Sequence, residues 1–220
     1  MPAVPGTAVR VIIADDHPVV RAGLSAILSS NPQIRVVAEV GDGSTLLRTL
    51  GTTTADVAVL DLGMPGRTGV ALLRQIRHEA PQLRIVICSM YDTSVYADRC
   101  MQLGAFAFLE KGVAPTRLVS TVLAAAISPV SEPPPAGEDA AEQPPHTRLS
   151  DRQFEVFALL VQGHSVTDIA NKLHLSIKTV STHKVAVQKR LGCESIVDLV
   201  KYATAHGLID SAVPGRREAA

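Results

Sequence analysis

Three aspartates, a serine and a lysine stand at the ends of short apolar runs in the first half of the chain. Asp15 and Asp16 follow VRVIIA, Asp61 follows VAVL, Ser89 ends RIVICS, and Lys111 comes just after AFL. Carboxylates gathered in one place repel one another unless a cation sits among them. An all-oxygen donor set of that kind favours Mg2+. Phosphoryl transfer needs this combination: an in-line nucleophile and positive charge spread around the transferring group. One carboxylate can act as the nucleophile and form an acyl phosphate. Lysine then offers a point charge to the phosphoryl oxygens, and serine one hydrogen bond. Each residue alone has an ordinary explanation, because Asp is a common turn residue after a strand and a lone lysine is usually solvated. Their joint occurrence after four different apolar runs carries the phosphoacceptor reading.

The elements between these residues must bring them to one edge. Val9–Ala14, Ile34–Val40, Val57–Leu60, Arg84–Ser89 and Ala107–Leu109 read as buried strands. Between and after them, Pro18–Ser30, Ser44–Leu50, Val70–Glu79, Ser94–Leu103 and Thr116–Ala126 have helical spacing. Pro18 stands at the helix position where a missing N–H costs nothing. Five strand–helix units in order predict a doubly wound parallel sheet with helices on both faces. In such sheets functional groups collect at the carboxyl ends of the strands, which is where all five residues lie.

The second half of the chain is organised differently. Ser128–His146 (SPVSEPPPAGEDAAEQPPH) has six prolines, four acids and no Lys or Arg. It reads as an extended, mobile linker. Helical patterns follow at Asp151–Gln162, Thr167–Leu173, Ile177–Leu191 and Ser195–His206, with Ser150 and Ser176 placed as caps. Thr167–Leu173, a short turn and Ile177–Leu191 form a helix-turn-helix pattern. On the last of these, Ile177, Val180, Val187 and Leu191 should face the core. Lys178, Thr179, Ser181, Thr182, Lys184 and Val185 are left for a partner, in a helix with four cations and no acid. A basic, hydroxyl-rich face suits the major groove of DNA, with Lys178, Lys189 and Thr179 meeting phosphates. A solvated basic face on an interaction module is the plainer alternative.

Ile12–Pro18 (IIADDHP), Leu60–Gly66 (LDLGMPG), Ile87–Ser89 (ICS) and Gly104–Gly112 (GAFAFLEKG) together resemble the receiver domain of two-component response regulators. The resemblance implies a flavodoxin-like α/β domain in which Asp61 is phosphorylated by a histidine kinase or phosphotransfer protein. It implies that Asp15, Asp16, Asp61 and the Gly63 carbonyl hold Mg2+, and that Ser89 and Phe108 form the switch pair. The family commonly has tyrosine at Phe108 and proline at Gly112. Leu149–Val156 (LSDRQFEV), Gly163, DIA, SIKTV, His183 and KRLG resemble the LuxR-type helix-turn-helix of the NarL/FixJ family. Gln153 stands where that family more often has Glu. This second resemblance implies an all-α domain of four helices that binds promoter DNA, with His183 added to the contact set and Ser195–His206 as a dimer contact. Several stretches, including VIIADDHP, KGVAPTRL and VTDIANKL, resemble the capsule-regulator branch of the family. That branch implies control of envelope, capsule or motility genes and pairing with an auxiliary LuxR-type regulator.

The expected organisation is a receiver domain at 1–127, a linker at 128–147, a DNA-binding domain at 148–210 and a disordered tail at 211–220. Lys plus Arg and Asp plus Glu both total 21, so no global charge points to a partner. Cys88, Cys100 and Cys193 are scattered, without metal spacing or a disulfide framework, which fits a reduced cytoplasm. No apolar run is long enough to cross a bilayer, and the start has no signal-peptide pattern. The expectation is a cytoplasmic signalling protein that dimerises on phosphorylation, not an enzyme. Two alternatives stay open. A phosphatase-like or dehalogenase-like hydrolase would show turnover on small phosphate esters. A constitutive DNA-binding protein with a degenerate receiver would not label at Asp61.

Overall fold

The structure is a computed structural model describing residues 8–64, 69–90, 93–129 and 144–209. Strands β1 (Val9–Ala14), β2 (Ile34–Val40), β3 (Val57–Leu60), β4 (Arg84–Ser89) and β5 (Ala107–Glu110) form one parallel sheet ordered β2-β1-β3-β4-β5. Helices α1 (Pro18–Ser29), α2 (Gly43–Leu50), α3 (Gly69–Glu79), α4 (Thr93–Gln102) and α5 (Pro115–Ile127) connect and cover it. The central strands are Val- and Ile-rich and buried on both faces, as a sheet packed between helices requires. The chain runs from β1 to one side and then returns to the other. The strand order therefore reverses beside β1, and the carboxyl ends of β1 and β3 flank a topological switch point. Register aligns those ends: Ala14 pairs with Leu60, and Leu60 with Ile87.

Two apolar layers hold the sheet. Val11, Ile13, Val59 and Val86 pack with Leu24 and Leu28 of α1 and Leu118 and Val122 of α5. On the other face Ile12, Leu60, Ile85 and Ile87 pack with Leu46, Leu72, Ile76 and Cys100. That second layer continues without a break into four further helices: α6 (Asp151–Val161), α7 (Val166–Lys172), α8 (Ile177–Leu191) and α9 (Ile196–Ala205). Capping boxes start α6, α7 and α9 at Ser150, Ser165 and Ser195. At α6 the box closes through Gln153, whose side-chain oxygen accepts from the Ser150 amide at 3.1 Å. The glutamine therefore does the work of the more frequent glutamate.

Helix α6 lies against α3 and α4. Tyr96 and Phe154 meet edge to face with centroids 5.6 Å apart. Asp151 is shared by Arg74 at 3.2 Å and Arg99 at 3.4 Å. Arg99 also donates to the Thr147 carbonyl at 2.9 Å.

Most of the expected linker and the whole tail 211–220 lie outside the described residues. The linker's last residues depart from the expected extended chain: Pro145–Arg148 is a single 3-10 turn. Pro145 starts that turn, and Tyr202 of α9 holds it through the His146 amide at 3.3 Å. Among the described residues all three cysteines are free. Burial pushes the Cys88 thiol up to about 11 and the Cys100 thiol up to about 12, so both behave as apolar core groups. No helix among the described residues is long and apolar enough to cross a membrane.

Candidate phosphoacceptor site and DNA-contact helix

The five residues read from strand ends come together. Ser89 Oγ donates to Asp61 Oδ1 at 2.8 Å. Lys111 Nζ lies 2.7 Å from Asp61 Oδ2 and 2.8 Å from Asp15 Oδ2. Asp15, Asp61 and Ser89 are buried, and the Lys111 side chain is 5% exposed. Burial alone would pull the Lys111 ammonium down. Hydrogen bonds and charge from Asp15 and Asp61 outweigh it, and the group is held above its ordinary range. Gly63 turns its amide to Asp61 Oδ1 at 3.1 Å. Phe108, half-buried on β5, packs at the edge of the core shared by β4 and α4.

Asp15, Asp16 and Asp61 offer carboxylate oxygens, and His17 a ring nitrogen, all within 4.8 Å of one another. Three carboxylates against one lysine leave an excess of negative charge, and oxygen donors of this type fit a hard divalent cation. His17 was not among the residues singled out from the sequence. Its Nδ1 lies 2.7 Å from Asp16 Oδ1 and 3.4 Å from Asp15 Oδ1, with the ring largely exposed. Position beside Asp16 was the available signal, but its side chain could equally have pointed to solvent. Arg21, one turn into α1, donates to the Asp15 carbonyl and anchors the same loop.

In the C-terminal helices, the turn between α7 and α8 is made by His174, whose φ is 52°. Ser176 caps α8 by accepting from the Thr179 amide at 3.0 Å. Gly192 ends it in the left-handed region at φ 68°. Val180, Val187 and Leu191 face the core as expected. Ile177 does not: it is 55% exposed. It is the first residue of the helix, beside the turn from α7, where the side chain stays largely in solvent. Lys178, Thr182, Val185 and Lys189 are exposed, and Ser181, His183 and Lys184 are half-buried. Ser176 engages both the amide and the hydroxyl of Thr179, the hydroxyl at 2.7 Å. The Thr179 amide is thus taken by the cap, while its hydroxyl keeps the capacity for a further partner. Thr182 Oγ1 donates back to the Lys178 carbonyl at 3.0 Å, which leaves its lone pairs outward.

Residues 11–123 match the family of response regulator receiver domains. Residues 147–203 match the luxR family of bacterial regulatory proteins. The chain is similar to the oxygen regulatory protein NreC of Staphylococcus haemolyticus, at 32% identity over 91% of this chain and 99% of the relative. It is similar to the response regulator UvrY of Escherichia coli at 29% identity, covering 92% and 97%. Among solved structures it resembles RcsB of Salmonella enterica bound to the promoter rprA with a phosphomimetic. That likeness has a TM-score of 0.60 at 31% identity, covering 90% of this chain and 99% of the other.

Proposed function

The chain belongs to the two-component response regulators, joining a receiver domain to a LuxR-type DNA-binding domain. From that premise we propose that Asp61 accepts a phosphoryl group from a histidine kinase or phosphotransfer protein. The observation that supports this is the convergence of Ser89 and Lys111 on the two carboxylate oxygens of Asp61. An Asp61 oxygen attacks the phosphorus of a phosphohistidine. A P–O bond forms as the P–N bond breaks, and the leaving imidazole keeps the electron pair and takes up a proton. Lys111 follows the charge onto the phosphoryl oxygens. Ser89 releases Asp61 and turns to the new acceptor, vacating space toward which Phe108 rotates. Asp15, Asp16, Asp61 and the Gly63 carbonyl are the groups that would hold Mg2+, which would neutralise charge on the transferring phosphoryl group.

The output is promoter DNA bound by α8. Ser181, Thr182 and Val185 face base edges with His183 and Lys184 beside them, and Lys178, Lys189 and Thr179 meet phosphates. Phosphorylation favours a homodimer, with exposed Ile196 and Val197 at the start of α9 as part of its contact. The capsule-regulator likeness extends the reading to cytoplasmic control of envelope, capsule or motility genes, with an auxiliary LuxR-type regulator as an additional partner.

Asp61→Asn keeps the shape of the site and removes the nucleophile. Incubated with acetyl phosphate and Mg2+, the unaltered chain should gain the mass of one phosphoryl group and the variant none. Equal labelling of the two would refute the assignment.

A further inference from the structure

Helix α3 begins at Gly69, shortly after the strand end that carries Asp61. Its start is tied back to that end, because the Gly69 amide donates to the Leu62 carbonyl at 2.9 Å. The first amides of a helix have no partner within it. One of those in α3 is met from the other domain: the Val70 amide donates to the carboxylate of Glu155 on α6. Glu155 is 2% exposed, unusual for an acid. Its Oε1 lies over Gly69 so closely that a Cβ there would fall 1.8 Å away. Gly69 also has a φ of 59°, so both backbone and space demand glycine. Arg152 holds the other oxygen of Glu155 at 2.7 Å. The carboxylate is therefore locked in place against the receiver.

We propose that Glu155 is a positioning residue for phosphoryl transfer. From the DNA-binding domain it caps α3 and so fixes the strand end bearing Asp61 and Gly63. Docking of the C-terminal domain is then felt at Asp61 by a route separate from Ser89 and Phe108. The coupling is reciprocal, so phosphorylation in turn alters how firmly α6 is held. The proposal rests on the reading of Asp61 as the phosphoacceptor.

The test uses the full chain in four forms: unaltered, Glu155→Ala, Glu155→Gln and Asp151→Lys. Three quantities are measured: amide hydrogen exchange at Gly69 and Val70, Mg2+ affinity, and the rate of labelling by acetyl phosphate. Glu155→Ala should speed exchange at Val70 by about tenfold through loss of the cap, and weaken Mg2+ binding several-fold. Glu155→Gln keeps an acceptor oxygen and should recover most of both. Asp151→Lys leaves Glu155 intact but sets a cation against Arg74 and Arg99. It should open the molecule, as seen by small-angle scattering, and reproduce the alanine result. The proposal is overturned if Glu155→Ala stays folded with unaltered exchange and Mg2+ affinity. It is equally overturned if Asp151→Lys opens the molecule and leaves both quantities unmoved. An unaltered chain that takes no phosphoryl group would sink the phosphoacceptor reading and this one with it. Normal and equal labelling of the unaltered and alanine forms would sink this one alone.

Discussion

Lys111 is held by two carboxylates at once, from strands that are far apart in sequence. It offsets part of the charge of three aspartates and competes with any divalent cation for the same oxygens. Its raised affinity for the proton keeps it charged at neutral pH, so no titration of labelling near pH 7 originates there. Lys111→Met keeps the length of the side chain and removes the charge. Two opposite effects are expected from that one change. Mg2+ should bind more tightly, because its competitor is gone. Labelling of Asp61 should slow, because the transferring group loses its point charge. A Mg2+ titration and mass spectrometry of the acetyl phosphate reaction measure the two. Weaker Mg2+ binding in the variant would refute the competition.

Helix α8 separates positioning from reading along its length. Its start depends on Ser176, and Ser176→Ala should cost about 1 kcal/mol, seen as a lower midpoint in denaturant. Thr182 has an exposed hydroxyl oxygen, while Lys189 is an exposed cation in the last turn. Thr182→Ala should therefore change which operator bases are preferred, by about 1–3 kcal/mol at the affected pair. Lys189→Ala should weaken all DNA alike and lower the salt slope by about one unit. A panel of single-base operator variants at several salt concentrations distinguishes them. Uniform weakening by the threonine change, with altered preference from the lysine change, would mean that the helix is rotated the other way in the groove.

At the scale of the whole molecule the two domains share one apolar layer, and a buried acid sits in it. Burial pushes the Glu155 carboxyl up to about 7. Arg152, through charge and a hydrogen bond, and the Val70 amide oppose that shift, while Asp151 adds to it. From the receiver, Arg74 and Arg99 engage Asp151 and bracket the same contact. A carboxyl with a raised value in the docked state favours docking when protonated. That contribution is fully present below the ordinary value near 4.5, fades as pH rises toward 7, and is flat above it. Lowering the pH from about 7.5 to about 6 should strengthen docking roughly eightfold. Small-angle scattering across that range reads the balance of docked and open forms. Glu155→Gln should remove the dependence; a pH response that survives in it would place the titrating group elsewhere.

Periodicity and motif were enough for the parallel sheet, the four C-terminal helices and the convergence of Asp15, Asp16, Asp61, Ser89 and Lys111. A doubly wound topology sends every strand's carboxyl end to one edge, so order along the chain already implies nearness in space. Helix ends at Ser150, Ser176 and Gly192 were legible for a similar reason, since caps are local chemistry. What depends on contacts between distant elements was not. Ile177 matches the apolar stripe of α8 by spacing, yet the fold leaves it more than half exposed. That the Thr179 amide is engaged by Ser176, and its hydroxyl lies beside the same oxygen, is visible only once the side chains are placed. His17 joins the acidic cluster only because the β1–α1 loop sets its ring beside Asp16. Glu155 stands in the sequence only as one residue of the LSDRQFEV stretch. Only the docking of α6 on α3 buries it, because burial is set by what a residue packs against, and spacing along one chain carries no record of that.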